Sequence, residues 1–333
     1  MFRSVDVGFG SVKGISNGRA VEFYSSVSDF RAIRYTNGLE KLKLIEKMCV
    51  QYGGKSYFVG DFAHLQGNPR ATLNKERFIS QEGLTLMMSA LMLLADTQYE
   101  SVKLVTGLPV DEYASMKSKY KEALIDKHHL QLINPDGTAG DFYSFNIEDV
   151  IILPQPLGTI FDRVLNGNGQ IIDKELASAR VAVLDIGKFT VDLVLMDKFT
   201  FIDQYSTSFN DVGMYDAFKD LSLAIKTELG HNIPADKIEP YVRNGQASKE
   251  FKEQIEIVNA NQAEKIISRV YNTWTDLWSL DHLFISGGGA IVLGEHIKSS
   301  LSDHIEQITL CNEPTLSNAR GYYKYANMLW GGN

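Results

Sequence analysis

The sequence predicts an α/β protein of two related domains that face each other across a cleft. One observation is a motif that occurs twice, as Asp6-Val-Gly-x-x-Ser11-Val near the start and as Asp185-Ile-Gly-x-x-Thr190-Val in the second half. The other is that both halves contain strand-length apolar runs and longer helical stretches. Because the spacing between the copies is far too long for a solenoid repeat, each copy is expected to open one domain. Chance similarity of two hairpins is the alternative.

The second copy, within residues 180–196, is predicted to be a β-hairpin. Residues 181–184 form a buried strand, residues 185–189 the turn, and residues 191–196 an alternating return strand. A carboxylate, a glycine and a hydroxyl in such a turn suit a phosphate and its Mg²⁺. Glycine lets backbone N–H groups approach the oxygens, and the aspartate can hold the metal or its waters.

Length, composition and charge restrict the class of protein. The chain has 333 residues, enough for two domains or one large one, and its 44% hydrophobic and 22% charged content is ordinary for a globular protein. A net charge of -8 gives no overall attraction to nucleic acid or anionic lipid.

Residues 1–10 read as strand and turn rather than as a secretory signal. Residues 84–95 are too short an apolar run to cross a bilayer, and Cys49 and Cys311 show no paired spacing. We expect a cytoplasmic protein with reduced thiols.

The rest of the first half is expected to complete a mixed domain. In this half of the chain, Ser80 is a plausible N-cap for the first predicted helix and Asp111 for the second. The predicted elements are strands at 42–50, 57–61 and 102–106, helices at 80–95 and 111–125, and a turn at 134–137 between two further strands.

Residues 150–161 are expected to cross between the halves. Pro154 and Pro156 bracket Gln155 and hold it extended before a helix can begin. A rigidly placed amide at such a crossing could orient a water molecule. A polar residue in a proline-stiffened linker is an equal alternative.

The second half contains a strand that runs into three glycines, at residues 281–289. Consecutive glycines let the backbone come close to a flat ligand or a phosphate, or simply make a tight strand–helix connection. Helices are predicted at 214–229, with Gly230 as its stop, and over most of 248–280. A last helix from residue 314 begins with small residues, which suit a second close crossing. The sequence shows neither a His/Cys cluster with metal-ligand spacing nor a Ser/His/Asp arrangement.

These pieces, in this order, resemble the nucleotide-site segments of the actin-like ATPase superfamily, which includes actin, sugar kinases and the seventy-kilodalton heat-shock chaperones. The resemblance implies two actin-like (ribonuclease H-like) domains, each a mixed five-stranded sheet with flanking helices, around a nucleotide cleft. It implies domain limits of 1–153 plus 322–333 and 154–321. The matching segments are residues 6–13 and 185–192 (phosphate loops), 150–161 and 316–322 (connections), and 284–290 (adenosine motif).

Within the superfamily, the length and residues 57–63 and 105–110 are most similar to the bacterial ParM-type plasmid-segregation actins and their archaeal relatives. That resemblance implies an ATPase that forms head-to-tail filaments. It also implies that the filament moves DNA, such as a plasmid, through a DNA-binding adaptor protein. The acidic net charge argues against direct contact with the DNA, and no membrane contact is expected.

The resemblance also assigns roles to residues, with ATP/ADP and Mg²⁺ as cofactors. Gln155 would position the attacking water, and Asp6 and Asp185 would be catalytic and lie near Mg²⁺, largely through its waters. Thr227 stands where actin has an acidic residue, which leaves the purine contacts open. The phosphate-binding residues would be Gly8, Gly10, Ser11, Lys13, Gly187, Lys188 and Thr190. The adenosine-side residues would be Gly213, Lys226, Gly287, Gly288 and Gly289.

Phosphoryl transfer to water needs charge neutralisation and an aligned nucleophile. Because glutamine is nearly non-basic, it would orient water without taking its proton, and slow turnover is expected. One alternative is a small-molecule kinase of the same fold, for which no catalytic aspartate or substrate-binding insertion can be assigned. The other is a membrane-associated shape or division protein, for which residues 324–333 are a poor amphipathic terminus.

Overall fold

The structure is a computed structural model, and it describes residues 1–69, 75–243 and 251–331. Each half of the chain forms one mixed β-sheet with helices packed against it. The α/β class is therefore confirmed. Both sheets are larger than the five strands expected, because short strands extend their edges: the first has nine strands and the second six.

The first sheet contains both parallel and antiparallel neighbours. Its β1 strand pairs antiparallel with β2 and parallel with β7. The spatial order is β3-β2-β1-β7-β9-β8-β5-β6-β4. The strands are β1 (Phe2–Val7), β2 (Ser11–Ser16), β3 (Arg19–Tyr24), β4 (Val27–Asp29), β5 (Cys49–Tyr52), β6 (Lys55–Val59), β7 (Tyr99–Leu108), β8 (Lys127–Ile133) and β9 (Ala139–Pro154).

The second sheet repeats the central arrangement of the first. Its β10 strand pairs antiparallel with β11 and parallel with β14, as β1 pairs with β2 and β7. The spatial order is β12-β11-β10-β14-β15, and β13 adds to β11. The strands are β10 (Arg180–Ile186), β11 (Val191–Asp197), β12 (Thr200–Phe201), β13 (Thr207–Phe209), β14 (His282–Ser286) and β15 (Ile308–Leu310).

Ten helices accompany these sheets in the described ranges. They are α1 (Asp61–Gln66), α2 (Gln81–Leu94), α3 (Val110–Leu124), α4 (Leu157–Val164), α5 (Lys174–Ser178), α6 (Met214–Leu229), α7 (Ala235–Arg243), α8 (Lys252–Thr273), α9 (Ala290–Leu301) and α10 (Ser317–Trp330). None of the helices in those ranges has the length and apolar character needed to cross a membrane.

Helices α4 and α10 cross each other between the two sheets. A Cβ atom at Gly321 would lie 1.6 Å from the carbonyl oxygen of Gly158, so the two backbones can meet only because both positions are glycine. Helix α10 packs on β1, β2 and β7, whereas α4 contacts β9, β10 and β14. Apolar side chains such as Phe161 and Tyr322 join them in one core. The small-residue crossing expected from the sequence is confirmed.

Most of the predicted elements are confirmed. The hydroxyl of Ser80 accepts a hydrogen bond from the Gly83 N–H at 3.1 Å and caps α2, and Gly230 ends α6 in the left-handed conformation with φ 75°. A turn lies between β8 and β9, as predicted. Cys49 and Cys311 are free and buried.

Several predicted boundaries are wrong. Helix α3 begins at Val110, and Asp111 does not cap it; the Asp111 carboxylate instead accepts hydrogen bonds from β13 of the second sheet. Residues Leu44–Glu46 form a short 3-10 helix, and the strand begins only at Cys49. Strand β10 continues through Ile186 because it pairs on both sides, so Asp185 lies in the strand rather than in the turn. The helix predicted over 248–280 is α8 and ends at Thr273; residues 248–250 lie outside the described ranges.

Candidate functional site

The β1–β2 and β10–β11 hairpins bring their turns to one cleft, and they share the same backbone geometry. A Cβ atom at Gly8 would lie 2.9 Å from the carbonyl oxygen of Ser11. One at Gly187 would lie the same 2.9 Å from the carbonyl oxygen of Thr190. Only glycine fits at these two positions. The repeat found in the sequence is therefore a repeat in the structure.

The residues opposite the two aspartates differ in charge. In the antiparallel register, Asp6 lies opposite Lys13, whose Nζ is 3.8 Å from Asp6 Oδ2. Asp185 lies opposite Asp192, a second buried carboxylate. One hairpin thus pairs its aspartate with a cation, and the other pairs it with an anion.

This arrangement alters the pKa values of the three buried carboxyls. Burial, and next the charge of Asp192, raise the pKa of Asp185 to about 7. Burial raises the pKa of Asp192 to about 6, against hydrogen bonds from Ser208 and Thr190 that lower it. The pKa of Asp6 is raised by burial, and the charge of Lys13 opposes that shift. Burial is thus the first cause of all three shifts, and at Asp185 a neighbouring carboxylate adds to it.

Each crossing segment supplies one amide to one of the aspartates. Gln155, between β9 and α4, donates from Nε2 to Asp6 Oδ1 at 2.8 Å. Asn318, in the first turn of α10, donates from Nδ2 to Asp185 Oδ2 at 2.6 Å. Both amides are buried. The two aspartates are thus held in place by side chains from the two segments that connect the halves.

Further hydrogen bonds hold the backbone of Gln155 and the side chain of Asn318 in place. The Gln155 N–H donates to the carbonyl oxygen of Leu108 at 2.8 Å, and the Tyr322 hydroxyl donates to the Gln155 carbonyl oxygen at 2.9 Å. The Thr159 hydroxyl donates to Asn318 Oδ1 at 3.0 Å. Gln155 is therefore a rigidly held cleft residue rather than a polar residue in a linker.

Three predicted phosphate ligands donate to carboxylates. Ser11 Oγ donates to Glu22 Oε1 at 3.0 Å, and Thr190 Oγ1 donates to Asp192 Oδ2 at 3.0 Å. Lys188 forms an ion pair with Glu239, at 2.7 Å between Nζ and Oε2. A phosphate bound in this cleft would compete with these carboxylates for the same donors.

The glycine run after β14 closes tightly on Asp185. Gly287 has φ 81°, and a Cβ atom there would lie 2.2 Å from Asp185 Oδ1, so only glycine fits. The Gly289 N–H donates to the carbonyl oxygen of Ile186 at 2.8 Å. Gly288 lines the part of the cleft next to the phosphate turns and also a smaller adjoining pocket.

The structure brings most of the predicted site residues together. Those that line the main cleft are Asp6, Gly8, Gly10, Ser11, Lys13, Gln155, Asp185, Gly187, Lys188, Thr190, Gly287 and Gly288. The adjoining pocket is lined by Gly289 with Met214, Phe218, Val292, Lys188, Glu239 and Gly288. Its lining combines apolar side chains and glycines with the ion pair between Lys188 and Glu239.

Two predicted adenosine-side residues lie elsewhere. Gly213 sits behind the second phosphate turn, where a Cβ atom would lie 2.6 Å from the carbonyl carbon of Phe189. Lys226 is exposed on α6, three turns beyond Met214, and is outside the lining of both pockets as the described residues form them. In the structure, Glu239 of α7 supplies the polar edge at that end of the cleft.

Sequence reasoning missed Asp192, Asn318 and Phe9, which also line the cleft. Asp192 could have been found, because it follows Asp185 by the same interval as Lys13 follows Asp6 in the repeated hairpin. Asn318 and Phe9 carry no comparable signal, since their positions depend on how the second crossing and the hairpin tips pack.

The donor set of the cleft fits Mg²⁺. Carboxylate oxygens are the hard ligands that Mg²⁺ takes, and Asp6, Asp185 and Asp192 bring three buried carboxyls to the same cleft. Across the part of the chain that the structure describes, no three His, Cys, Asp or Glu side chains could hold a metal ion together. A magnesium ion here would keep several waters and take its other ligands from a bound phosphate.

Two family models match the sequence. The model for the N-terminal domain of actin-like proteins matches residues 4–158. The model for the C-terminal region of the archaeal actin homologue MreB-like proteins matches residues 183–299. A search of the curated proteins found no match.

Solved structures of similar fold cover almost the whole chain. ParM in a 15-stranded filament from Clostridium botulinum is 21% identical over 97% of this chain and 98% of its own, with a TM-score of 0.80. The archaeal actin homolog Ta0583, also solved in complex with ADP, is 21% identical over 98% of both chains, with a TM-score of 0.80. Bacillus thuringiensis ParM with AMPPNP is 14% identical over 99% of both chains, with a TM-score of 0.71.

At these identities the solved structures show the fold alone, which is that of actin-like proteins with two domains of mixed sheets and flanking helices. The two family models add the sequence relationship, one in each half. The chain therefore belongs to the actin-like superfamily, with a first half of the actin-like protein type and a second half of the archaeal MreB-like type.

Proposed function

We propose that this chain is a cytoplasmic ATPase that binds ATP with Mg²⁺ in the cleft and hydrolyses it to ADP and phosphate. The observation that carries the proposal is the convergence of two phosphate turns on Gln155 and Asp185, with an amide from each crossing held on one of the two aspartates. The structures of similar proteins with ADP and with AMPPNP support a nucleotide as the ligand.

The terminal phosphates would lie between the two turns. The N–H groups of Gly8 and Gly10 would donate to the phosphate oxygens, because glycine allows close approach of the backbone. The Gly187 N–H already donates to the Thr190 carbonyl oxygen at 2.8 Å, so Gly187 would admit the phosphate by its lack of a side chain. Lys13, whose Nζ already faces the cleft, would balance phosphate charge. Ser11, Thr190 and Lys188 would exchange their present carboxylate partners for phosphate. Gly287, Gly288 and Gly289 would line the adenosine side, where Glu239 rather than Lys226 supplies the polar group.

Asp6 and Asp185 would hold Mg²⁺, largely through its waters, and the bound ion would neutralise developing charge on the phosphates. Gln155 uses its Nε2 donor on Asp6, which leaves its side-chain oxygen to accept a hydrogen bond from the attacking water. An amide cannot take the proton of that water. Asp185, which lines the same cleft, would help Gln155 to align that water, and without a strong base we expect slow turnover.

We further propose that nucleotide turnover controls a filament of this chain, by analogy with the ParM filament of similar fold. The contact must be head-to-tail, because an isologous contact would stop at a dimer. With a net charge of -8, the filament would reach DNA through an adaptor protein rather than grip it directly. Its role would be to segregate a plasmid or other DNA.

The proposed domain limits remain 1–153 plus 322–333 and 154–321. The packing of α10 on the first sheet supports them, whereas α4 contacts β10 and β14 of the second sheet and also β9 of the first. The kinase alternative would need a free catalytic aspartate in the first domain. Asp111 is unsuitable, because its Oδ1 accepts hydrogen bonds from the Ser208 N–H at 3.0 Å and the Thr207 hydroxyl at 3.2 Å.

The test is sedimentation and electron microscopy of the purified chain with ATP and Mg²⁺, with ADP as the matched control. We expect filaments that pellet with ATP and shorten as phosphate is released. A chain that hydrolyses ATP but stays monomeric at high concentration would falsify the filament proposal. A chain that binds no nucleotide would overturn the ATPase proposal as well.

A further inference from the structure

The two phosphate turns touch each other at their tips. The rings of Phe9 and Phe189 meet edge to face, with centroids 6.1 Å apart and planes inclined by 67°. Beside them, a Cβ atom at Gly10 would lie 3.1 Å from Cβ of Lys188. Phe9, Gly10 and Lys188 all line the cleft. The contact therefore joins the two domains at the place where the phosphates would lie.

Each ring is anchored within its own domain. The guanidinium of Arg77 stacks over the Phe9 ring at 3.6 Å from its centroid, and Phe78 packs against the same ring at 6.3 Å. Phe189 packs on Tyr215 of α6, with centroids 4.9 Å apart. Because each ring is packed against residues of its own domain, opening the cleft must break the contact between Phe9 and Phe189.

Arg77 also holds the backbone behind the first turn. It is buried, and its Nη2 donates to the carbonyl oxygen of Val7 at 2.8 Å. The guanidinium thus fixes both the strand that ends before the turn and the aromatic ring at the tip. A lysine could keep the charge but could not stack as a plane on the ring while donating to Val7.

We propose that Phe9 and Phe189 form an interdomain clasp that limits the rate of nucleotide release, and that Arg77 is the positioning residue for Phe9. The inference rests on the proposed nucleotide site. Aromatic contact stabilises the closed cleft and is lost before the nucleotide can leave. Weakening the clasp should therefore raise the dissociation rate of ADP, with a smaller effect on its association rate.

The experiment measures the dissociation of a fluorescent ADP analogue, bound with Mg²⁺ to the full chain and chased with unlabelled ADP in a stopped-flow instrument. Phe9→Leu and Phe189→Leu keep apolar volume but remove the ring contact. We expect each to speed release by about three- to tenfold. The double variant should release no faster than the faster single variant, because both changes remove one shared contact.

Two further variants separate the clasp from general effects. Phe142→Leu removes a ring pair of similar spacing, with Tyr99 at 6.4 Å, on the first sheet and should leave the release rate unchanged. Arg77→Lys should speed release in the wild-type background but have no further effect in the Phe9→Leu background. That pattern distinguishes positioning of Phe9 from general loss of stability.

Unchanged release from both single variants, in a chain that binds ADP, would overturn the clasp and leave the nucleotide site standing. Additive effects in the double variant would also overturn it, because they would mean that the rings act separately. Failure of the wild-type chain to bind any nucleotide would overturn the clasp together with the proposed function.

Discussion

The side-chain amide of Gln155 donates a hydrogen bond to Oδ1 of Asp6 over 2.8 Å and thereby ties the first crossing segment to the first phosphate turn. Asn318 does the same for Asp185 from the second crossing. Each of the two buried aspartates is thus bonded to one of the segments that connect the halves.

Replacing Gln155 should slow hydrolysis more than it weakens nucleotide binding. In Gln155→Ala the attacking water loses its orienting acceptor, and we expect phosphate release to fall by about 100-fold. ADP affinity should change by no more than about threefold, because the turn amides and Lys13 remain. Single-turnover phosphate release and ADP titration measure the two effects. Equal losses in both would indicate a binding role for Gln155 instead.

Replacing Asn318 should lower the stability of the free chain. In Asn318→Ala, Oδ2 of the buried Asp185 loses its donor at 2.6 Å, at a cost of about 1–3 kcal/mol in the free energy of unfolding. Chemical denaturation checks this, with Asn168→Ala in an exposed loop as the control, expected within about 0.5 kcal/mol of wild type. A variant as stable as the control would show that the amide is not needed.

The hairpins and the first crossing could be predicted from the sequence because their signals are local. Two copies of Asp-x-Gly define the turns, and the prolines on either side of Gln155 define its backbone. Asp111 could not be placed in the same way. Its partners lie on β13 in the other half of the chain, and a cap-forming residue near a helix start looks the same in sequence whether or not it caps.

The lining of the adjoining pocket also could not be predicted from the sequence. Lys226 was assigned from its neighbours along α6, but its exposed position depends on how that helix rotates against the core. Glu239 and Phe218 reach the adjoining pocket only through the packing of α6 and α7. Local patterns predict which residues form a turn or a helix. Which faces of two helices pack against each other depends on tertiary structure.

An alanine at the helix crossing should destabilise the fold. A Cβ atom at Gly321 would lie 1.6 Å from the Gly158 carbonyl oxygen, so Gly321→Ala must push α4 and α10 apart, at a cost of about 1–3 kcal/mol or more. Gly167→Ala is a matched control, because a Cβ atom there meets nothing within 4 Å and the residue has no positive φ. Thermal unfolding compares the two. Equal melting temperatures would contradict the close crossing.

His128 should make the first domain less stable in mild acid. Its Nε2 donates to the Leu124 carbonyl oxygen at 2.9 Å, and its Nδ1 accepts from the Tyr52 hydroxyl at 2.7 Å, so the ring is held neutral. Burial lowers its pKa below the ordinary 6.5. The folded state then binds fewer protons than the unfolded state, and stability falls as pH drops below about 6.5, by at most about 1.4 kcal/mol per pH unit.

The check is the pH dependence of the free energy of unfolding in His128→Asn, with His129→Asn at the exposed neighbouring position as the control. We expect the wild type and His129→Asn to lose stability between about pH 6.5 and pH 5 more steeply than His128→Asn. If all three curves are parallel in that range, His128 is not held neutral by the fold.

The most direct test of the nucleotide site is the rate of phosphate release from ATP with Mg²⁺ by the wild type and by Asp185→Asn. This change keeps the shape of the side chain and removes the charge that would hold the metal. We expect slow release by the wild type and a rate at least about 100-fold lower in the variant. Release by Asp185→Asn at the wild-type rate would contradict the assignment of this cleft as the site of hydrolysis.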